Sequence, residues 1–153
     1  MPTADSIYTD IILEHYKNPN HYGELQYAEF EQRGYNESCG DDINIYLNSK
    51  DGKITELQFI GKGCAISQSS ASMMIPMLLG LTFEEAIERI EQFKKMITGE
   101  TPFPDDETFI EISALKGLVK YPVRVKCATL AWNTVRKAIR MADLKYKSTL
   151  QQG

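Results

Sequence analysis

Only three cysteines, two histidines and one tryptophan occur in this chain. An odd cysteine count cannot pair completely, and a reducing cytosol does not favour disulfides, so a disulfide-stapled scaffold is excluded. Histidine is scarce, and neither His15 nor His21 has a neighbouring carboxylate arrangement suggesting a triad, which disfavours a Cys–His thiol enzyme. No apolar run approaches the ~20 residues needed to span a bilayer. Met1 to Asp5 shows no basic segment leading into an apolar one, so secretion is not expected and a cytosolic address follows by default. Positive charge is not in excess either. The formal net charge of −4 argues against nucleic acid as the main partner.

What remains is an ordinary globular composition, 42% hydrophobic and 25% charged over 153 residues. That length suits one domain with a real core and is too short for two comfortable ones. We expect a single domain over 1–153, with about 144–153 as a loose tail. Charge is unevenly placed: Lys120 to Lys147 holds eight Lys/Arg residues against the single acid Asp143. Such a stretch reads as a solvated helix face, or more sharply as a docking face for an acidic partner.

Periodicity predicts an α+β domain, a small antiparallel sheet covered by helices. Ser6 to Tyr16 has helical spacing in Ile7, Ile11 and the Tyr8/Ile12/His15 series, and Pro19 stops it. Ile43, Ile45 and Leu47 alternate with Asn44 and Tyr46 as in a half-buried strand, Asp51-Gly52 is a turn, and Ile54 to Ile60 returns. A third strand is expected before Cys39, because a two-stranded hairpin rarely stands alone. Ala65 to Leu79 reads as a helix that Pro76 should kink or shorten. Thr82-Phe-Glu-Glu85 is a capping-box signature opening a helix to Ile97, with Phe83, Ala86, Ile87, Ile90, Phe93 and Ile97 on one face. A last helix is predicted over about Val125 to Met141, with Ala128, Ala131, Val135, Ala138 and Ala142 inward and Trp132 as a core anchor.

Candidate chemistry concentrates at the cysteines. Cys39-Gly40-Asp41 sets a thiolate and a carboxylate two residues apart, a pair that can chelate one ion, although a turn with a buried cysteine reads the same way. Cys64 follows Gly61-Lys62-Gly63 at a predicted helix start, where free N–H groups favour thiolate. The glycines match neither a dinucleotide fingerprint nor a P-loop. Cys127 also falls near a predicted helix start, with Arg124 and Lys126 as cations that would favour its thiolate. The residues alone leave two readings open, one shared metal site or three buried thiols. Met73, Met74 and Met77 are read as core filler rather than as metal ligands.

Four segments together carry a resemblance. They are Ile11-Ile-Leu-Glu-His15-Tyr with Asn18-Pro-Asn20 and Gly23; Cys39-Gly-Asp41; Gly61-Lys-Gly-Cys64-Ala-Ile-Ser67 with Ser69 to Met74; and Arg124-Val-Lys-Cys127-Ala-Thr-Leu-Ala-Trp132. In this order, from Tyr8 to about Ala142, they resemble the IscU/SufU family of iron–sulfur cluster assembly proteins. The resemblance implies a three-stranded antiparallel sheet packed with helices, and a metal site on Cys39, Asp41, Cys64 and Cys127. IscU-type scaffolds carry a histidine just before the third cysteine, where this chain has Lys126. That difference, and the extended segment from about Ile97 to Tyr121, resemble the SufU branch, which is associated with zinc and with accepting persulfide sulfur from a cysteine desulfurase.

On that resemblance, Cys39 is expected to be the sulfur acceptor, since its glycine neighbour lets it move, and Asp41 to be the exchangeable ligand. Docking of the desulfurase would exchange a ligand and free Cys39. Arg124 would dock the partner or stabilise the released thiolate. Downstream assembly or carrier proteins are the implied recipients. Two other readings stay open: a scaffold on which a [2Fe–2S] cluster is built on the same four residues, with iron as the metal, and an interaction module with a purely structural zinc.

Overall fold

Alternation in the sequence places the sheet. In the computed structural model, which describes residues 4–152, β1 (Phe30–Asn36), β2 (Asp41–Lys50) and β3 (Lys53–Lys62) form an antiparallel sheet in the order β1-β2-β3. The strand expected before Cys39 is β1. Ile43, Ile45 and Leu47 on β2 and Leu57 and Phe59 on β3 are buried, forming the sheet's contribution to the core. Residues 1–3 and 153, and the side chains of residues 4–7 and 152, lie outside the described residues; the expected packing of Ile7 is among what falls there.

Among the described residues there are four helices, α1 (Ala4–Lys17), α2 (Ala65–Leu78), α3 (Phe83–Ile97) and α4 (Pro122–Gln152), with 3₁₀ segments at Glu107–Phe109 and Ile112–Lys120; α2 and α4 pack on the sheet, α1 on α2 and α3 on α4. The α+β expectation holds. Thr82 caps α3 through a complete capping box, its hydroxyl accepting from Glu85 N at 3.1 Å while the Glu85 carboxylate accepts from Thr82 N at 3.0 Å. Helix α2 is central, buried on its serine face (Ser67, Ser69, Ser70, Ser72) as well as its methionine face.

Pro76 does not break α2, which runs on to Leu78. Proline has no N–H to give to the carbonyl four residues back. Asn20 supplies the missing donor, its Nδ2 lying 3.5 Å from Ser72 O. Ser72 Oγ also accepts from Asn20 N at 2.7 Å and lies 2.8 Å from His15 Nδ1. The Asn18-Pro-Asn20 loop is thereby pinned to α2 at the point of weakness.

Helix α4 starts earlier than periodicity suggested, because Pro122 occupies its first position, where proline is pre-organised and loses no hydrogen bond, and it also runs on past Met141 to Gln152. Its buried stripe includes Ala128, Ala131, Val135, Ala138 and Ala142. Trp132 stacks on Phe93 with ring centroids 4.1 Å apart, and its Nε1 donates to Ser70 Oγ at 3.0 Å. Ser70 in turn donates to Ala128 O at 2.6 Å. These contacts lock α2, α3 and α4 together and fix where the second turn of α4 meets the sheet.

Candidate metal centre

Four elements deliver their cysteine or carboxylate to one end of the sheet. Cys39 sits half-buried in the turn between β1 and β2, beside Gly40 at φ +68. Around Gly40 there is open space, since a Cβ built there would meet nothing within 4 Å. Asp41 begins β2 and is completely buried. Cys64 is the residue before α2, and Cys127 lies fully buried in α4.

The sulfurs of Cys39 and Cys127 are 3.0 Å apart, well beyond a disulfide bond, and both thiols are free. Ligand atoms of Cys39, Asp41 and Cys127 all lie within 4.8 Å of one another, a group that can hold a metal ion. Cys64, the fourth expected ligand, lies outside that group but close to it, its Sγ 3.8 Å from Asp41 Oδ2 and its backbone N donating to Asp41 Oδ1 at 2.8 Å.

The loop before α2 is built around that carboxylate. Gly63 has φ +150, and a Cβ there would collide with the Asp41 side chain. A Cβ at Gly61 would come within 2.7 Å of Asp42 O. The Gly-Lys-Gly run therefore serves close approach to β2 rather than phosphate binding.

One expectation about thiolates needs correction. Cys127 is not at a helix start; with Pro122 as the first residue of α4 it falls in the second turn, away from free N–H groups. Burial pushes its thiol well above the ordinary value, reinforced by hydrogen bonding with Cys39 and by the neighbouring Cys64. Arg124 and Lys126 are exposed and do not offset this. Cys64 does stand at a helix start, as the N-cap of α2, and its backbone N–H is given to Asp41.

A divalent cation fits this donor set. Asp41 is a fully buried carboxylate, yet no Lys, Arg or His side chain forms an ion pair with it among the described residues. A buried charge of that kind is costly unless a counter-charge accompanies it. Three thiols and one carboxylate are ligands that zinc or iron accept.

Other residues singled out in the sequence lie elsewhere. His15 is buried between Ser72 and Glu111, its Nε2 3.4 Å from Glu111 Oε2, and His21 is a loop residue at φ +55. Met73, Met74 and Met77 are core residues. Asn36, which the sequence reading passed over, lies among the candidate ligands. Its Nδ2 is 3.4 Å from Asp41 Oδ2 and 3.7 Å from Cys127 Sγ, and its Oδ1 accepts from Ser38 N at 3.3 Å. The only sequence signal for it is an asparagine opening a tight turn. No helix among the described residues is long and apolar enough to cross a membrane.

Residues 7–149 match the family model described as the NifU-like N terminal domain. The chain is 37% identical over 134 residues to the iron-sulfur cluster assembly scaffold protein IscU of Streptococcus pyogenes serotype M1, covering 88% of this chain and 83% of that one. It is 35% identical to the zinc-dependent sulfurtransferase SufU of Bacillus subtilis, over 88% of this chain and 90% of that one. Among solved structures, the N-terminal NifU-like protein of Brucella abortus superposes with a TM-score of 0.81 at 26% identity, covering 92% of this chain and 97% of that one.

Proposed function

This chain belongs to the NifU-like N-terminal domain family, and from that premise we propose that it serves iron–sulfur cluster biogenesis as a zinc-holding acceptor of persulfide sulfur from a cysteine desulfurase. One observation carries the choice of acceptor: Cys39 is half-buried on a turn with open space at Gly40, while its neighbour Cys127, 3.0 Å away, is sealed in α4. Cys64 is also half-buried, so accessibility rules out Cys127 alone, and the choice of Cys39 over Cys64 rests on the open space at its turn.

In this reading Cys39, Asp41, Cys64 and Cys127 hold the zinc. When bound, zinc keeps the thiols deprotonated at neutral pH and protects them from oxidation. The Cys39 thiolate attacks the terminal sulfur of the desulfurase persulfide. A new S–S bond forms at Cys39 as the partner's S–S bond breaks, the partner's cysteine leaves as thiolate, and no net oxidation or reduction occurs. Arg124 is exposed one turn before Cys127 on α4, placed to dock the desulfurase or to stabilise the Cys39 thiolate. Lys126, standing where IscU-type scaffolds have histidine, supports the acceptor role over the scaffold role.

The second reading, a scaffold for a [2Fe–2S] cargo, draws on the 37% identity to the IscU of Streptococcus pyogenes, which is no lower than the 35% to the SufU of Bacillus subtilis. A carboxylate among three thiols would make such a cluster labile enough to pass on. The test is to incubate the protein with a cysteine desulfurase and cysteine, then map the added sulfur by mass. An adduct on Cys39 supports the acceptor. An adduct confined to Cys64, or none together with a stable cluster on anaerobic reconstitution, refutes it.

A further inference from the structure

The turn that presents Cys39 opens with Asn36, the last residue of β1. Its side chain makes three contacts, and each ends on a different part of the site. Oδ1 accepts from Ser38 N at 3.3 Å, closing the turn just before Cys39. Nδ2 reaches Asp41 Oδ2 at 3.4 Å and Cys127 Sγ at 3.7 Å. The amide is half-buried and therefore held rather than freely solvated. Its Nδ2 faces a carboxylate oxygen and a sulfur, two atoms that a metal would also bind. A neutral amide suits this place, because it satisfies lone pairs that the ion leaves unused without adding charge.

We infer that Asn36 is the positioning residue of the metal centre: its amide orients Asp41 and Cys127 as resident ligands while its carbonyl fixes the turn that carries Cys39. The inference rests on the metal-holding reading above. It divides the ligands into two classes. Asp41 and Cys127 are tied to one amide donor, whereas the Cys39 sulfur, among the described residues, has Cys127 as its hydrogen-bond partner and takes no N–H donor. The Cys64 sulfur likewise takes no N–H donor among the described residues, and Cys39 differs from it in sitting on a turn with open space at Gly40, as suits a sulfur that must leave and return.

Two variants separate positioning from simple support of the turn. Asn36→Ala removes all three contacts. Asn36→Ser keeps a short acceptor able to close the turn on Ser38 N but cannot reach the sulfur or carboxylate. Zinc affinity is measured by competition with a chromogenic chelator, and ligand geometry by the visible absorption of the Co²⁺-substituted protein. Both variants should bind zinc about 10–100-fold more weakly than the unaltered chain, as expected for loss of a group that orients metal ligands. Their Co²⁺ bands should shift in the same sense. Zinc affinity within twofold of the unaltered chain in Asn36→Ser, with an unchanged Co²⁺ spectrum, would reduce Asn36 to a turn residue and overturn the inference. If the unaltered chain itself bound neither ion tightly, the metal-holding reading would fall, and this inference with it.

Discussion

Gly63 lies so close to Asp41 that a single added methyl group would occupy the space of the carboxylate. The glycine also has φ +150, where L side chains are strained. Gly63→Ala should therefore displace Asp41 or the Cys64 amide that bonds it, costing about 1–3 kcal/mol in stability. Zinc affinity should fall steeply. Thermal unfolding with and without zinc measures both losses, and the zinc-dependent part of the stability should shrink more than the metal-free part.

Zinc itself should be separable from the fold. The stacked Phe93–Trp132 pair and the buried residues of α2, α3 and α4 form a core that does not pass through the thiols. Chelation should leave the far-UV circular dichroism intact. It should lower the melting temperature by the binding linkage, about 4 kcal/mol when zinc is at ~1,000 times its Kd. Unfolding on chelation would instead identify a structural zinc module.

The same centre should release protons as it takes up metal. Burial, helped by Cys39 and Cys64, raises the Cys127 thiol, so in the metal-free protein that sulfur is protonated at neutral pH. Zinc must displace the proton. Apparent zinc affinity should climb as pH rises across the neutral range, and titration in weak buffer at pH 7 should detect at least one proton released per ion. An affinity independent of pH would contradict the buried-thiol geometry.

Ser72 offers a contrast between stability and function. Its hydroxyl serves both His15 Nδ1 and Asn20 N, so Ser72→Ala leaves two groups without their partner at a buried position. The expected loss is about 1–3 kcal/mol. Along α2 it stands about 12 Å from Cys64 at 1.5 Å per residue. Zinc affinity and sulfur acceptance by the folded variant should match those of the unaltered chain.

Much of this architecture is legible in the residues. Alternation at Ile43, Ile45 and Leu47 gave the central strand, and Thr82 with Glu85 marked the start of α3 to the residue. Helix α4 was misplaced because Pro122 was read as a boundary outside the helix, whereas it is the first residue inside; Cys127 moved from a helix start into a buried turn as a result. At Pro76 the helix continues for two more residues, and the donor that Ser72 O takes comes from Asn20, 52 positions away, which no local pattern reveals. The cysteines were visible as unusual, but their spacing specifies no site, and the metal-site reading came from resemblance rather than from chemistry. Asn36 was legible only as a residue that opens a turn. Its role depends on Cys127, 91 positions away, and no local pattern encodes that contact.

The most direct test of the acceptor assignment is the steady-state turnover of a cysteine desulfurase, from cysteine to alanine, with and without the zinc-loaded protein. The assignment predicts a large stimulation that disappears in Cys39→Ala and is strongly reduced in Arg124→Ala, with zinc still bound by the latter at unaltered affinity. Absence of stimulation by the zinc-loaded protein, or full stimulation by Cys39→Ala, would contradict it and move the weight to the scaffold reading, with iron as the metal that matters.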